Sequence, residues 1–193
     1  MNKDILVIDI ETKNTFFDVG GQANIKDLNM SLTCLYSYNS DKYFSFWEKD
    51  LGDLEEVMKE AALIVGFGIN RFDLPVLDKY FSFNTRALKR VDILEEIEIS
   101  IGKRISLDLL AHTNIGIGKT HNGLEAVKFW NEGNLEELES YCRNDVKVTK
   151  DLYDLAKTQK YLLVPEKGTS NLIKADLDFD EKIRAATTEN TLF

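Results

Sequence analysis

The stretch Ile5-Leu6-Val7-Ile8-Asp9-Ile10-Glu11-Thr12 decides how the rest of the chain is read. Ile5 to Ile8 form a continuous apolar, β-branched run, as expected of a strand covered on both faces. Asp9 breaks the run and Glu11 follows two residues later. Strand side chains alternate between faces, so Asp9 and Glu11 point one way and Ile8 and Ile10 the other. Two acids on one face of a buried strand must be neutralised, because an unpaired buried charge is costly. Either the strand end emerges into solvent with two hydrated acids, or it carries part of a divalent-metal site. The remainder of the chain bears on that choice.

Downstream, Lys13 to Asn29 is a polar connection with Gly20-Gly21 at its middle and Phe16-Phe17 just past the acids, long enough to suggest a functional loop. Ser31–Tyr38 and Lys42–Trp47 read as an antiparallel hairpin around Asn39-Ser40-Asp41. Asp53 and Glu56 resemble a capping box, opening a helix with Leu54, Val57, Met58 and Ala61 on one face. Ala62 to Gly68 reads as a strand parallel to the first. Pro75 suits the first turn of a helix running to about Phe81, and Arg90 to Ile93 reads as another strand. Ile97 to Leu110 is ambiguous between helix and strand, and Ile115 to Gly123 reads as loop. Asn134 and Glu137 form a second capping-box pattern, opening a helix to about Lys157. From Glu166 the chain turns polar, so residues 1–165 read as one domain and 166–193 as a tail or small extension, with a short helix near Asp180–Ala186.

The last long helix supplies a second clue. Its apolar stripe runs Leu138, Tyr141, Cys142, Val148, Thr149, Leu152 and Leu155, yet the position expected to be apolar in its middle holds Asp145. Tyr141 lies one turn earlier on the same face. A third clue is Asp73, just past the second apolar strand, at the strand end where ligands collect in open α/β sheets. If the two strands are neighbours, Asp9, Glu11, Asp73 and Asp145 converge and repel one another unless a cation intervenes. All-oxygen ligands suit Mg²⁺ or Mn²⁺. His112 and His121 are too isolated to form a competing zinc site and read as surface or substrate-contacting residues.

The segments Asp9-Ile10-Glu11-Thr12, Asn70-Arg71-Phe72-Asp73-Leu74-Pro75 and Tyr141-Cys142-Arg143-Asn144-Asp145 resemble the three motifs of the DEDD superfamily of 3′–5′ exonucleases. That family has a ribonuclease H-like fold and includes the proofreading domains of DNA polymerases. The Tyr-x-x-x-Asp form of the last motif resembles the tyrosine subclass, and the likeness covers about residues 3 to 160. The resemblance implies an α/β fold with a mixed five-stranded sheet, the hairpin at one edge and helices on both faces. It implies two divalent cations, Mg²⁺ or Mn²⁺. Asp9, Glu11 and Asp145 would hold one; Asp9 and Asp73 would serve the other. Tyr141 would orient the attacking water. The implied substrates are single-stranded DNA or RNA 3′ ends, contacted by Thr12, Phe16, Phe17, Asn70, Arg71, Phe72 and Lys119.

Composition bounds these expectations. The 193 residues carry 24 Lys plus Arg against 33 Asp plus Glu, a net charge of −9. Nucleic acid would therefore have to be drawn in by a local basic patch; Arg71, Lys103, Arg104, Lys119 and the Arg86-Lys89-Arg90 group are the candidates. Cys34 and Cys142 read as reduced core thiols of a cytosolic protein. Met1-Asn2-Lys3-Asp4 leads straight into the strand, so no signal peptide is expected, and no apolar run is long enough to span a membrane. Gly116 to Thr120 is partly like a phosphate loop, but the glycine needed at 113 is Thr113. Three other readings stay open: an inactive nucleic-acid-binding scaffold of the same fold, an endoribonuclease, or a phosphoesterase using Asp9 as nucleophile.

Overall fold

The computed structural model describes residues 3–117 and 123–188. Strand β1 (Ile5–Thr12) lies at the middle of a five-stranded sheet. On one side it pairs antiparallel with β2 (Met30–Ser37), which pairs antiparallel with the edge strand β3 (Lys42–Trp47). On the other side it pairs in parallel with β4 (Leu63–Gly66), which pairs in parallel with β5 (Arg90–Asp92). The sheet is mixed, with the hairpin at its edge, as the sequence led us to expect.

Alternation along β1 sorts the sheet into two faces. Leu6, Ile8 and Ile10 point into a core closed by α1 (Leu51–Glu60) and the short α2 (Asp73–Leu77), through Leu54, Met58, Leu74 and Leu77. Val7 points into the opposite core, beneath α3 (Ile93–Ile101), α4 (Leu107–Ile115), α5 (Gly123–Glu132) and the 25-residue α6 (Leu135–Gln159). Asp9 and Glu11 share the Val7 face, so the sheet aims both acids toward α6. That core continues through Leu162, Val164, Ala175 and Phe179, which belong to a second sheet of β6 (Tyr161–Pro165) and β7 (Leu172–Asp176) and the segment before α7 (Asp180–Thr188). Phe179 stacks on Tyr153 of α6 with centroids 5.3 Å apart.

Several local expectations are corrected. Helix α1 starts at Leu51, not after Asp53, because a 3-10 turn over Glu48–Asp50 runs directly into it while Asp50 accepts the Trp47 N–H. Val57 stands exposed rather than on the buried face. Asn134 precedes α6 but makes no side-chain cap; its amide donates back to Glu132. Helix α2 ends at Leu77, not near Phe81: Asp78 turns to accept both the backbone N–H and the hydroxyl of Thr85. The ambiguous stretch 97–110 is two helices broken at Gly102, and α5 was not anticipated. The buried stripe of α6 also includes Val146, Tyr153 and Ala156, whereas Leu155 is half-buried.

Gly66, the last residue of β4, lies against the Ile8 carbonyl of β1 and the Ile69 side chain. A Cβ there would lie 2.2 Å from the Ile69 side chain and 3.1 Å from the Ile8 carbonyl oxygen, so only glycine lets the chain turn toward Asp73 at this point.

Candidate active site

Strand β1 delivers Asp9 opposite Cys34 of β2, and Glu11 opposite Leu32, just before a register shift at Thr12. The parallel ladder with β4 stops at Val7 and Val65. Beyond it, the chain leaving β4 returns Asp73 to the same edge: its Oδ1 accepts the Ile10 N–H at 3.1 Å, and the side chain is buried. A carboxylate thus takes the place of the missing strand, between the two acids of β1.

Helix α6 closes the site from the opposite face with Tyr141, Cys142 and Asp145. The Tyr141 hydroxyl donates to Asp145, one turn later. The Cys142 thiol lies 3.5 Å from the Asp9 carbonyl oxygen and 3.6 Å from its Oδ2. One ligand atom from each of Asp9, Glu11 and Cys142 lies within 4.8 Å of the others.

Electrostatics marks these acids as strained together. Burial, then repulsion from Glu11, Asp145 and Asp73, holds the Asp9 carboxyl well above its ordinary range. Glu11 is raised by burial and by Asp145 and Asp73. Asp73 is lifted by burial to about 7, against hydrogen bonds that favour its charge; Asp145 is lifted by burial to about 6, restrained by hydrogen bonds from Tyr141 and Asn144. Tyr141 is itself pushed upward by burial and by Asp145, so its phenol stays protonated. Asp9 and Glu11 lie at ligand-sharing distance, Asp73 and Asp145 are near enough to raise both, and among the described residues no cationic side chain hydrogen-bonds any of the four. Such a set fits a divalent ion, which would supply the missing positive charge.

Asp92 supports this centre and escaped the sequence reading. Its buried carboxylate accepts the N–H groups of Gly68 and Asn70 as well as those of Leu94 and Glu95 at the start of α3. It pins the turn between Gly66 and Asp73, in which Gly68 is left-handed at φ 80°. The signal in the sequence is an N-cap pattern, Asp92 with Glu95 three residues on, at the end of the Arg90–Ile93 stretch whose composition points to a strand.

An apolar cleft of about 500 Å³ adjoins Glu11, lined by Thr12, Asn14, Thr15, Phe16, Phe17, Leu28, Phe72, Leu124 and Val127. Phe16 meets Phe72 edge-on at 5.8 Å, while Phe17 is 92% exposed at the rim. The Thr12 hydroxyl donates to the Asn14 carbonyl. Asn70 is turned away toward Glu95, to which its amide donates at 2.6 Å.

The basic candidates are mostly engaged within the fold. Arg71 and Arg104 pair with Glu98, and Lys103 with Glu166. Arg90 donates to the carbonyls of Thr85, Arg86 and Leu88, and Lys89 to that of Ala185. Arg86 is exposed, as is His112 in the last turn of α4. Lys119 and His121 lie outside the described residues. Cys34 and Cys142 are both buried and free. Among the described residues no helix is long and apolar enough to cross a membrane.

A comparison with curated proteins finds no match. Among solved structures, the chain is similar to the family B DNA polymerase from the hyperthermophilic archaeon Pyrobaculum calidifontis. The identity is 18% and the TM-score 0.61, over 81% of this chain but only 25% of the polymerase. At that identity the likeness speaks for the fold. Residues 6–157, which hold every carboxylate of the cluster, match the family model of the RNase H superfamily, a group that comprises nucleases, and the chain belongs to that superfamily.

Proposed function

We propose that the protein is a metal-dependent 3′–5′ exonuclease of the DEDD tyrosine subclass, acting on single-stranded nucleic-acid ends. The observation that carries this reading is the convergence of Asp9, Glu11 and Asp73 at the strand ends against Asp145, with the Tyr141 hydroxyl on the Asp145 carboxylate. Asp9, Glu11 and Asp145 would hold one Mg²⁺ or Mn²⁺, and Asp9 with Asp73 a second. Such a pair of ions, when bound, supplies positive charge to both the attacking and the leaving oxygen of an in-line displacement.

The chain's own residues do the positioning. Tyr141, kept protonated, offers a phenolic O–H that orients the attacking water rather than a base that deprotonates it. Asp73, fixed on the Ile10 N–H between the two acids of β1, holds the second edge of the site. The cleft of Phe16, Phe17 and Phe72 beside Glu11 accepts the terminal base by stacking, a sequence-tolerant contact. Thr12, which lines this cleft, is assigned to the substrate's sugar, whereas Asn70 and Arg71 would reach a phosphate only by leaving Glu95 and Glu98; Lys119 lies outside the described residues. Attack on phosphorus then breaks the bond to the 3′ oxygen and releases a nucleoside 5′-monophosphate. We assign this activity to residues 1–165 and treat 166–193 as an extension, whose described part pairs β7 back onto β6.

The test uses 5′-labelled single-stranded DNA and RNA of one sequence, with wild type and Asp9→Ala, in Mg²⁺, Mn²⁺ or chelator. A metal-dependent ladder receding from the 3′ end, absent in the variant, is the expected result and reveals the preferred sugar. Internal cuts would make the protein an endonuclease. Metal binding without cleavage would make it a binding domain.

A further inference from the structure

We propose that Cys142 adds a sulfur ligand to this centre, so that a thiophilic divalent ion of the zinc and cadmium class binds there and blocks the hard ions. The inference rests on the reading of Asp9 and Glu11 as metal ligands. A hard-ion nuclease centre has no use for sulfur, because Mg²⁺ takes oxygen ligands. Yet the Cys142 thiol is buried, is free of any disulfide and touches the Asp9 carboxylate.

Geometry suits a tetrahedral ion. With metal–sulfur and metal–oxygen distances of about 2.3 and 2.0–2.2 Å, a tetrahedral angle sets sulfur and oxygen about 3.5–3.7 Å apart. The observed separation of Cys142 Sγ from Asp9 Oδ2 is 3.6 Å. The Glu11 carboxylate completes a triad within 4.8 Å, leaving a fourth position for water or substrate. On binding, the ion displaces the thiol proton and any proton held by Asp9 or Glu11 to solvent, a sulfur–metal and two oxygen–metal bonds form, and the ion's charge is balanced by the thiolate and the two carboxylates. Because Asp9 would be shared between this ion and the hard-ion arrangement, occupancy by one excludes the other.

Helix α6 makes the arrangement stiff. Cys142 and Asp145 lie three residues apart, so one helical face offers sulfur beside Asp9 and oxygen one turn on. The same rod thus presents both a soft and a hard donor to the acids of β1.

The experiment titrates the full metal-free chain with Cd²⁺, reading the sulfur-to-cadmium charge-transfer band in the ultraviolet, and with Mg²⁺, reading the thermal midpoint. We expect a band saturating at one ion per chain, lost in Cys142→Ser and kept in Cys34→Ser. In Cys142→Ser the Cd²⁺ affinity should fall at least about tenfold, while the Mg²⁺ midpoint concentration moves less than about twofold. Persistence of the band in Cys142→Ser, or its loss in Cys34→Ser, would overturn the assignment of the sulfur. Stabilisation by Mg²⁺ without any cadmium–sulfur band would sink the thiol inference alone. Failure of both ions to bind would sink the metal reading beneath it.

Discussion

The carboxylate of Asp73 accepts the backbone N–H of Ile10, the residue that separates Asp9 from Glu11. One hydrogen bond therefore ties the start of α2 to the acid-bearing end of β1, past the point where the β1–β4 ladder stops. Asp73 has two separable duties, one to the fold and one to the proposed metal centre.

Two substitutions separate those duties. Asp73→Asn keeps an oxygen acceptor, so unfolding free energy should change by less than about 1 kcal/mol while exonuclease activity is lost. Asp73→Leu leaves the buried Ile10 N–H unpaired and should cost about 1–3 kcal/mol in addition. Urea unfolding and the 3′-end ladder assay read the two effects; wild-type turnover in the Asn variant would remove Asp73 from the catalytic set.

Tyr141→Phe keeps the buried ring and removes the hydroxyl that Asp145 accepts. Turnover should drop about 10²-fold with little change in KM, as expected for loss of a water-orienting group. A rise in KM with unchanged kcat would place the hydroxyl on bound substrate instead.

Without divalent ions, stability should decline as pH rises from about 4 to about 7. The folded-state pKa values of Asp73 and Asp145 are raised to about 7 and about 6, above their ordinary 3.8. In that window the folded protein binds more protons than the unfolded chain, so the associated stability is present at low pH and lost through the folded pKa values. Mg²⁺ at about 100 times its Kd should restore about 2.7 kcal/mol at neutral pH, reversibly with chelator. Thermal melts across pH, with and without Mg²⁺, check both; a metal-free protein most stable at pH 7 would contradict the crowding of charge.

Asp154 has the opposite sign. Burial would raise its pKa, but hydrogen bonds from Lys157, Lys150 and Tyr38 outweigh burial and lower it. Its contribution is present at neutral pH and lost as pH falls through the lowered pKa. Asp154→Asn should cost no more than about 1 kcal/mol at pH 7, given partial exposure, and nothing well below pH 4. An equal loss at both pH values would mean the effect is one of packing.

Much of the fold was legible because the strands of the five-stranded sheet declare themselves by composition and Gly66 marks the turn after β4; β6 and β7 lie in a stretch that offers only the end of a domain and a polar extension. The acids were legible because they break patterns: Asp9 in an apolar strand, Asp145 in an apolar stripe. What escaped depends on three-dimensional partners. Asp50 rather than Asp53 precedes α1 because the preceding 3-10 turn continues into it, which no local residue preference announces. Asp92 reads as an ordinary helix cap until Gly68 and Asn70 are seen to donate to it. Asn70 and Arg71 stand in the sequence as substrate contacts, but Glu95 and Glu98, which engage them, come within reach only in the folded chain.

Helix α6 is the last element of the region that matches the superfamily, and it closes on the first strand. The Cys142–Asp9 contact spans 133 residues of chain, so nearly the whole region must be synthesised before Asp9 and Asp145 can meet. A nascent or truncated chain ending before α6 holds Asp9, Glu11 and Asp73 without the helix that completes the cluster. On the proposed reading, hydrolytic competence would arrive only once α6 has closed on β1.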